Sequence, residues 1–149
     1  MKTFTLYNGV SIPCVGYGTY KVTGEEAVGI VKMALSAGYR HLDTARMYGN
    51  EKEVGQAIKQ SGIARNDIFL TSKVWRTELS YDAVMKSVEG SLQDLDTDYL
   101  DLCLLHWPMP KQTATNGRKK IWTHGVLWRN CMQKKHCVPL VSVTFCHII

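Results

Sequence analysis

The chain has 149 residues, 45% of them apolar, enough to bury the core of one domain. Its net charge of +5 invites a nucleic-acid partner, but residues 1–110 hold 11 Lys/Arg against 13 Asp/Glu, whereas residues 111–149 hold 7 Lys/Arg and no acid. The basic balance therefore belongs to the tail and not to the domain. No apolar run approaches the roughly 20 residues of a membrane span, and the N-terminus has no signal-peptide pattern. Cys14 and Cys103 are the only thiols before the tail, which argues against a disulfide framework and makes a cytoplasmic protein the default expectation.

In chain order, Thr3 to Leu6, the turn pair Asn8-Gly9 and Val10 to Pro13 predict a small hairpin. Val15 to Gly18 reads as the first strand of a larger sheet. Thr23 with Glu26 three residues on forms a capping box, after which Ala27, Ile30, Val31, Ala34 and Leu35 recur at helical spacing up to Gly38. A short apolar strand then ends at Asp43. Asn50 and Glu53 open a second helix in the same way, carrying Val54, Ala57 and Ile58 inward until Ser61-Gly62. Ile68 to Ser72 predicts a strand ended by Lys73, and Ser80 caps a third helix whose buried stripe is Val84, Val88, Leu92 and Leu95. A last strand, Tyr99 to Leu105, ends at His106.

Strands alternating with helices through short connections imply parallel βα units, compatible with a (β/α)₈ barrel or an open doubly wound sheet. Gly16-Tyr17-Gly18 is a G-x-G, but Lys21 stands where a dinucleotide fingerprint needs its third glycine. Asp43, Lys73 and His106 each sit at the C-terminal end of a predicted strand, where barrel enzymes place catalytic groups, and this favours the barrel. Taken singly, each has a bland reading. Asp43 could satisfy backbone donors, Lys73 could be a solvated cation, Tyr48 a half-buried aromatic and His106 a core histidine.

Taken together they point elsewhere. The string from Gly38 through Asp43, Ala45, Glu51 and Gly55 resembles the signature of the aldo-keto reductases. Ser72-Lys73-Val74-Trp75 and Asp98 to Leu102 through His106-Trp107-Pro108 look like the next landmarks of that family, and Gly18-Thr19-Tyr20 is similar to its first cofactor-contacting loop. Asp96, where the family usually has a turn glycine, and Cys103, where an aromatic is common, depart from the pattern. The resemblance implies the N-terminal half of a (β/α)₈ barrel with an N-terminal β-hairpin, and an NADPH-dependent reductase of small-molecule carbonyls. It implies a catalytic tetrad of Tyr48, Lys73, Asp43 and His106. It also implies cofactor contacts from Gly18, Thr19, Tyr20 and Asp43, and a substrate pocket with His106, Trp75 and Trp107.

The chemistry suits those residue types. Hydride transfer to a carbonyl leaves an alkoxide that needs a proton, and a free phenol, with a pKa of about 10, is a weak acid near pH 7. An adjacent ammonium stabilises phenolate, the role the resemblance implies for Lys73, which Asp43 would hold charged and oriented. His106 would position and polarise the carbonyl through a ring N–H.

The resemblance stops at about Pro108. Residues 1–110 are thus expected to be a partial barrel, inactive by itself, and residues 111–149 an unstructured tail. In the family the fourth strand is followed by a helix of the type Trp-Arg-Ala-Leu-Glu and a fifth strand Arg-Ala-Ile-Gly-Val-Ser-Asn-Phe, and the tail has neither as written. Its acid-free, Cys/His/Trp-rich composition looks like coding DNA read out of frame. The third base of each codon with the first two of the next defines the neighbouring frame. Asn130-Cys131 and His136-Cys137 then force Leu, and Met132-Gln133 forces Ala. The pairs from His124 to Asn130 permit Trp-Arg-Ala-Leu-Glu-Lys, and those from Cys137 to Phe145 permit Arg-Ala-Ile-Gly-Val-Ser-Asn-Phe.

A zinc site among Cys131, His136, Cys137, Cys146 and His147 loses accordingly, as no C-x-x-C pair exists, so no metal is expected. Two other classes remain as rivals: a redox-inactive barrel relative acting as a binding subunit, and a nucleic-acid binder using Trp122, Trp128 and the basic tail. The tail carries no recognised nucleic-acid motif, so neither a nucleic-acid nor a membrane partner is expected. Resequencing the gene should reveal a one-base insertion or deletion between the codons for Pro108 and Ile121, with the next frame running on into the rest of a barrel. Stop codons closing that frame just after this region would end the idea.

Overall fold

The computed structural model describes residues 1–6, 8–78 and 80–106. Strands β1 (Thr3–Thr5) and β2 (Ser11–Pro13) form the expected antiparallel hairpin, with Thr3 opposite Pro13 and Thr5 opposite Ser11. Gly9 takes the left-handed φ of +85° that the Asn-Gly turn calls for, and the Leu6 N–H closes the turn on the Val10 carbonyl at 2.8 Å.

Four parallel strands follow in the order β3 (Tyr17–Gly18), β4 (His41–Asp43), β5 (Phe69–Trp75) and β6 (Leu102–His106). Helices α1 (Ala27–Ser36), α2 (Glu51–Ser61) and α3 (Tyr81–Leu95) connect them as successive βα units. Because side chains alternate along a strand, the sheet has two distinct faces. Leu42, Leu70, Val74 and Cys103 point toward the helices and pack with Val31, Leu35, Val54, Ala57, Val88 and Leu95 into the main core. On the opposite face Phe69 and Leu102, at the N-terminal ends of their strands, pack with Leu104 and with Leu6, Val10 and Ile12. The hairpin thereby covers one end of the inner face and leaves the C-terminal end to the polar residues.

The helical stripes agree with the periodicity. α1 buries Ala27, Val31, Ala34 and Leu35, with Ile30 half-buried, and α2 buries Val54, Ala57 and Ile58 before Gly62 ends it at φ +71°. Ser80 caps α3 as expected, its Oγ accepting from the Ala83 N–H at 3.2 Å. Asp96, at the C-terminal cap of α3, takes up the left-handed conformation at φ 51°.

Several expectations are corrected. The Thr23–Glu26 capping box does not form: Gly24 turns left-handed between them (φ +80°), and the helix starts after Glu26 with no side-chain cap. Asn50 stands at the N-cap of α2 but caps nothing, since its side chain is taken by other partners. The first sheet strand begins at Tyr17 rather than Val15. Lys73 lies inside β5 and not at its end, because pairing with β6 continues to Trp75 opposite His106. β6 starts at Leu102 and not Tyr99. The Arg65 guanidinium holds the Tyr99 carbonyl (2.8 Å) and the Asp101 carboxylate (2.9 Å), which in turn accepts from the Leu70 N–H (2.9 Å).

At Gly55, α2 packs against the backbone of Leu95, the last residue of α3. A Cβ there would lie 2.5 Å from the Leu95 backbone carbonyl oxygen, a group that cannot swing aside. Gly55→Ala should therefore destabilise the chain by about 1–3 kcal/mol despite the better helix propensity of alanine. Urea unfolding measures it, and an unchanged or raised midpoint would refute the close packing.

Candidate active site

The site is built from the C-terminal ends of β4, β5 and β6 and the short 3-10 turn Arg46–Tyr48 that follows β4. Asp43 pairs with Gly18 on one side and Thr71 on the other. Lys73, two residues beyond Thr71 on the same strand, shares its face, so its stem runs along the inner surface toward Asp43. The ammonium forms an ion pair with Asp43 Oδ1 and donates to the Thr44 carbonyl at 2.9 Å and to Tyr48 Oη at 3.2 Å. The Lys73 side chain is 11% exposed, so this cation is desolvated and held by three oxygen acceptors.

Above that pair lies a cleft of about 270 Å³ lined by Tyr20, Met47, Tyr48, Trp75 and His106. The His106 ring is edge-on to both Tyr48 (5.6 Å between centroids, 78°) and Trp75 (5.3 Å, 84°). Burial, and then the positive charge of Lys73, hold its imidazole below the ordinary histidine range, with Asp43 pulling the other way. A neutral imidazole has one N–H to give and one nitrogen to accept with. Its Nδ1 is buried without a hydrogen-bond partner among the described residues.

The four tetrad residues expected from the sequence thus converge, and Trp75 and Tyr20 join them. Gly18 lies beside Asp43 in register, and a Cβ on it would meet open space. Thr19 is buried, its N–H donating to the Asp43 carbonyl at 2.9 Å, while Tyr20 is largely exposed and stacks at a tilt on Tyr48 (5.1 Å). Trp107 lies outside the described residues. Met47 was missed by sequence reasoning; its position next to Tyr48 was the only available signal. Among the described residues no cluster of His, Cys, Asp and Glu could hold a metal ion, and no helix is long and apolar enough to cross a membrane.

A buried group, Glu51, and a half-buried one, His41, complete the electrostatics beneath the site. The Glu51 carboxyl accepts from Ser72 Oγ at 2.6 Å and Ser91 Oγ at 3.0 Å. Burial pushes its pKa up, while the two serines and Arg46, 3.6 Å away, pull it down. His41 shares a 3.0 Å hydrogen bond with Thr71 Oγ1 and lies edge-on to Phe69. Burial lowers its pKa, outweighing the opposing pull of Asp43.

Four parallel strands, with helices on one face, bring a lysine, a tyrosine, an aspartate and a histidine together toward their C-terminal ends. Residues 14–133 match the profile of the Aldo/keto reductase family, and the chain belongs to that family. It is 50% identical over 107 residues to the glyoxal reductase of Bacillus subtilis, a match covering 71% of this chain and 39% of the relative. The crystal structure of an aldo/keto reductase from Brucella melitensis superposes with a TM-score of 0.79 at 43% identity, covering 91% of this chain and 51% of that one. An aldo-keto reductase of Bombyx mori in complex with NADP superposes at 0.76 and 30% identity, over 91% and 48% of the two chains. The structural neighbours are (β/α)₈ barrels, and this chain spans about half the length of its relatives or less.

His41 makes a prediction about pH. Its folded pKa is depressed below the ordinary 6.5, so its contribution to stability is present above that value and lost as pH falls through the folded pKa. Glu51, with a raised pKa, acts in the opposite sense and is common to any His41 variant. The loss of unfolding free energy between pH 7.5 and 5.5 should therefore be smaller in His41→Asn than in the unchanged chain. Equal losses in paired urea titrations would contradict a half-buried His41 that favours its neutral form.

Proposed function

We propose that the protein to which this half barrel belongs reduces small aldehydes and ketones to alcohols with NADPH. The single observation that carries the reading is the desolvated Lys73 ammonium, shared between Asp43, the Thr44 carbonyl and Tyr48 Oη. Only Tyr48 in that set has a proton to give to a reacting oxygen and an adjacent cation to stabilise the anion left behind. Asp43 fixes the direction of the ammonium by a charge-assisted hydrogen bond. His106, whose pKa burial lowers, lies edge-on to Tyr48 in the lining of the cleft, where a ring N–H facing the cleft would donate to the same carbonyl oxygen. Trp75 and Met47 give the cleft an apolar wall.

The residues present suit a nicotinamide. The unobstructed space over Gly18, beside Asp43, leaves room for a flat ring at the mouth of the strands, with Thr19 and Tyr20 at its border. The cofactor supplies the hydride when bound. That a similar protein was solved with NADP supports NADPH as the donor, and the glyoxal reductase among the relatives supports a short, activated aldehyde as substrate. Residues 1–110 contribute the catalytic half of the barrel; we read residues 111–149 as out of frame and the chain as inactive until the frame is restored.

In a frame-restored full-length protein, Tyr48→Phe should keep cofactor and aldehyde binding while the chemical step falls by about 10²–10⁴-fold. Lys73→Met should lose comparably, because it removes the cation and leaves Asp43 without its partner. The double mutant should be little worse than either single one, since the two groups act as a unit. Single-turnover reduction of glyoxal by NADPH provides the measurement. A near-unchanged chemical step in Tyr48→Phe would mean that the proton comes from elsewhere.

A further inference from the structure

Asn50 is 1% exposed, and both amide hydrogens are used. Its Nδ2 donates to the Thr19 carbonyl at 2.8 Å and to the Val22 carbonyl at 2.8 Å, while Oδ1 accepts from Thr44 Oγ1 at 3.1 Å. An Asn before a helix ordinarily caps the free N–H groups of its first turn. Here that use is forgone, and the amide joins two segments that are remote in sequence. One is the Thr19–Val22 segment after β3, which carries Tyr20 against the ring of Tyr48 and whose Thr19 N–H holds the Asp43 carbonyl. The other is Thr44, whose carbonyl is one of the three acceptors of Lys73. The hydroxyl and the carbonyl of Thr44 are thus fixed from opposite sides, one by Asn50 and one by the ammonium.

We infer that Asn50 is a positioning residue that sets Tyr48 against Lys73 by clamping the Thr19–Val22 segment to Thr44. It touches neither group itself and acts through Tyr20 and Thr44. No other side chain of its size presents two N–H donors and an acceptor from one planar group, which is why the position needs an amide and a Ser or Asp cap will not serve. An aspartate there would set carboxylate oxygens against two backbone carbonyls. The catalytic consequence rests on the carbonyl-reduction reading, but the clamp can be measured without turnover.

The test takes the 149-residue chain with ¹³C-labelled tyrosine, its ring signals assigned through Tyr20→Phe and Tyr48→Phe. The Tyr20 and Tyr48 rings should show a mutual nuclear Overhauser effect, which disappears in Asn50→Ala while the far-ultraviolet circular dichroism persists. Thr44→Val, which deletes only the hydroxyl donor, should weaken it without unfolding the chain. Gly55→Ala, destabilising at a distance, should leave it intact. In the frame-restored protein Asn50→Ala should then lower kcat for glyoxal by about 10–100-fold, the scale of a small misplacement of reacting groups, with KM within about twofold. An effect that survives Asn50→Ala, or is missing from the unchanged chain, overturns the clamp. A lost ring contact with kcat unaltered leaves the clamp but overturns its role in positioning Tyr48 for catalysis. A ring contact that follows Asn50 in a protein with no reduction at all upholds the clamp and removes the functional reading instead.

Discussion

A lysine ammonium inside a parallel sheet is the constraint around which this half barrel is arranged. An isolated buried cation would cost several kcal/mol, so Lys73 is tolerable only because a carboxylate, a backbone carbonyl and a phenolic oxygen converge on it. Each of those acceptors comes from the loop end of β4 or the turn beyond it, so the register of β4 on β5 decides whether the cation is satisfied. A slip of one residue would turn Lys73 into the helix-facing core and Val74 into the cleft.

A second buried ionisable group, on the other side of the sheet, reinforces that register. Glu51 accepts from Ser72, the residue next to Lys73, and from Ser91 on α3, and it lies within ion-pair reach of Arg46 in the Tyr48 turn. One carboxyl thereby ties β5, α3 and the turn bearing the phenol. Gly90 leaves the space that the Arg46 guanidinium occupies, since a Cβ there would lie 2.5 Å from Nη2. Polar contacts behind the sheet thus do for the site what apolar packing does for the rest of the fold.

The inner face divides by height. Near the N-terminal ends of the strands it is apolar, with Phe69 and Leu102 covered by the hairpin. His41 and Thr71 bond to one another midway, and the ion pair and the aromatic cleft lie beyond them. This gradient explains why the sheet is not apolar on both faces, as a structural parallel sheet usually is. The hairpin closes one end so that the other is left for the charged and aromatic groups.

Sequence by itself determined the elements and the members of the constellation. Apolar runs set the strands, helical spacing set the stripes of α1, α2 and α3, and Asp43, Lys73 and His106 were legible because each stands beside a strand-like run of its own, with Tyr48 five residues past Asp43. Tertiary structure alone decided where β5 ends, since a strand stops where its partner stops and not where a polar residue appears. It decided that Asn50 bonds Thr19, Val22 and Thr44 and not its own helix, because a side chain buried between two loops must satisfy the carbonyls it meets there. The cleft followed the same rule: Met47, Trp75 and Tyr20 come together only through the twist and register of strands far apart in the chain, which no local spacing encodes.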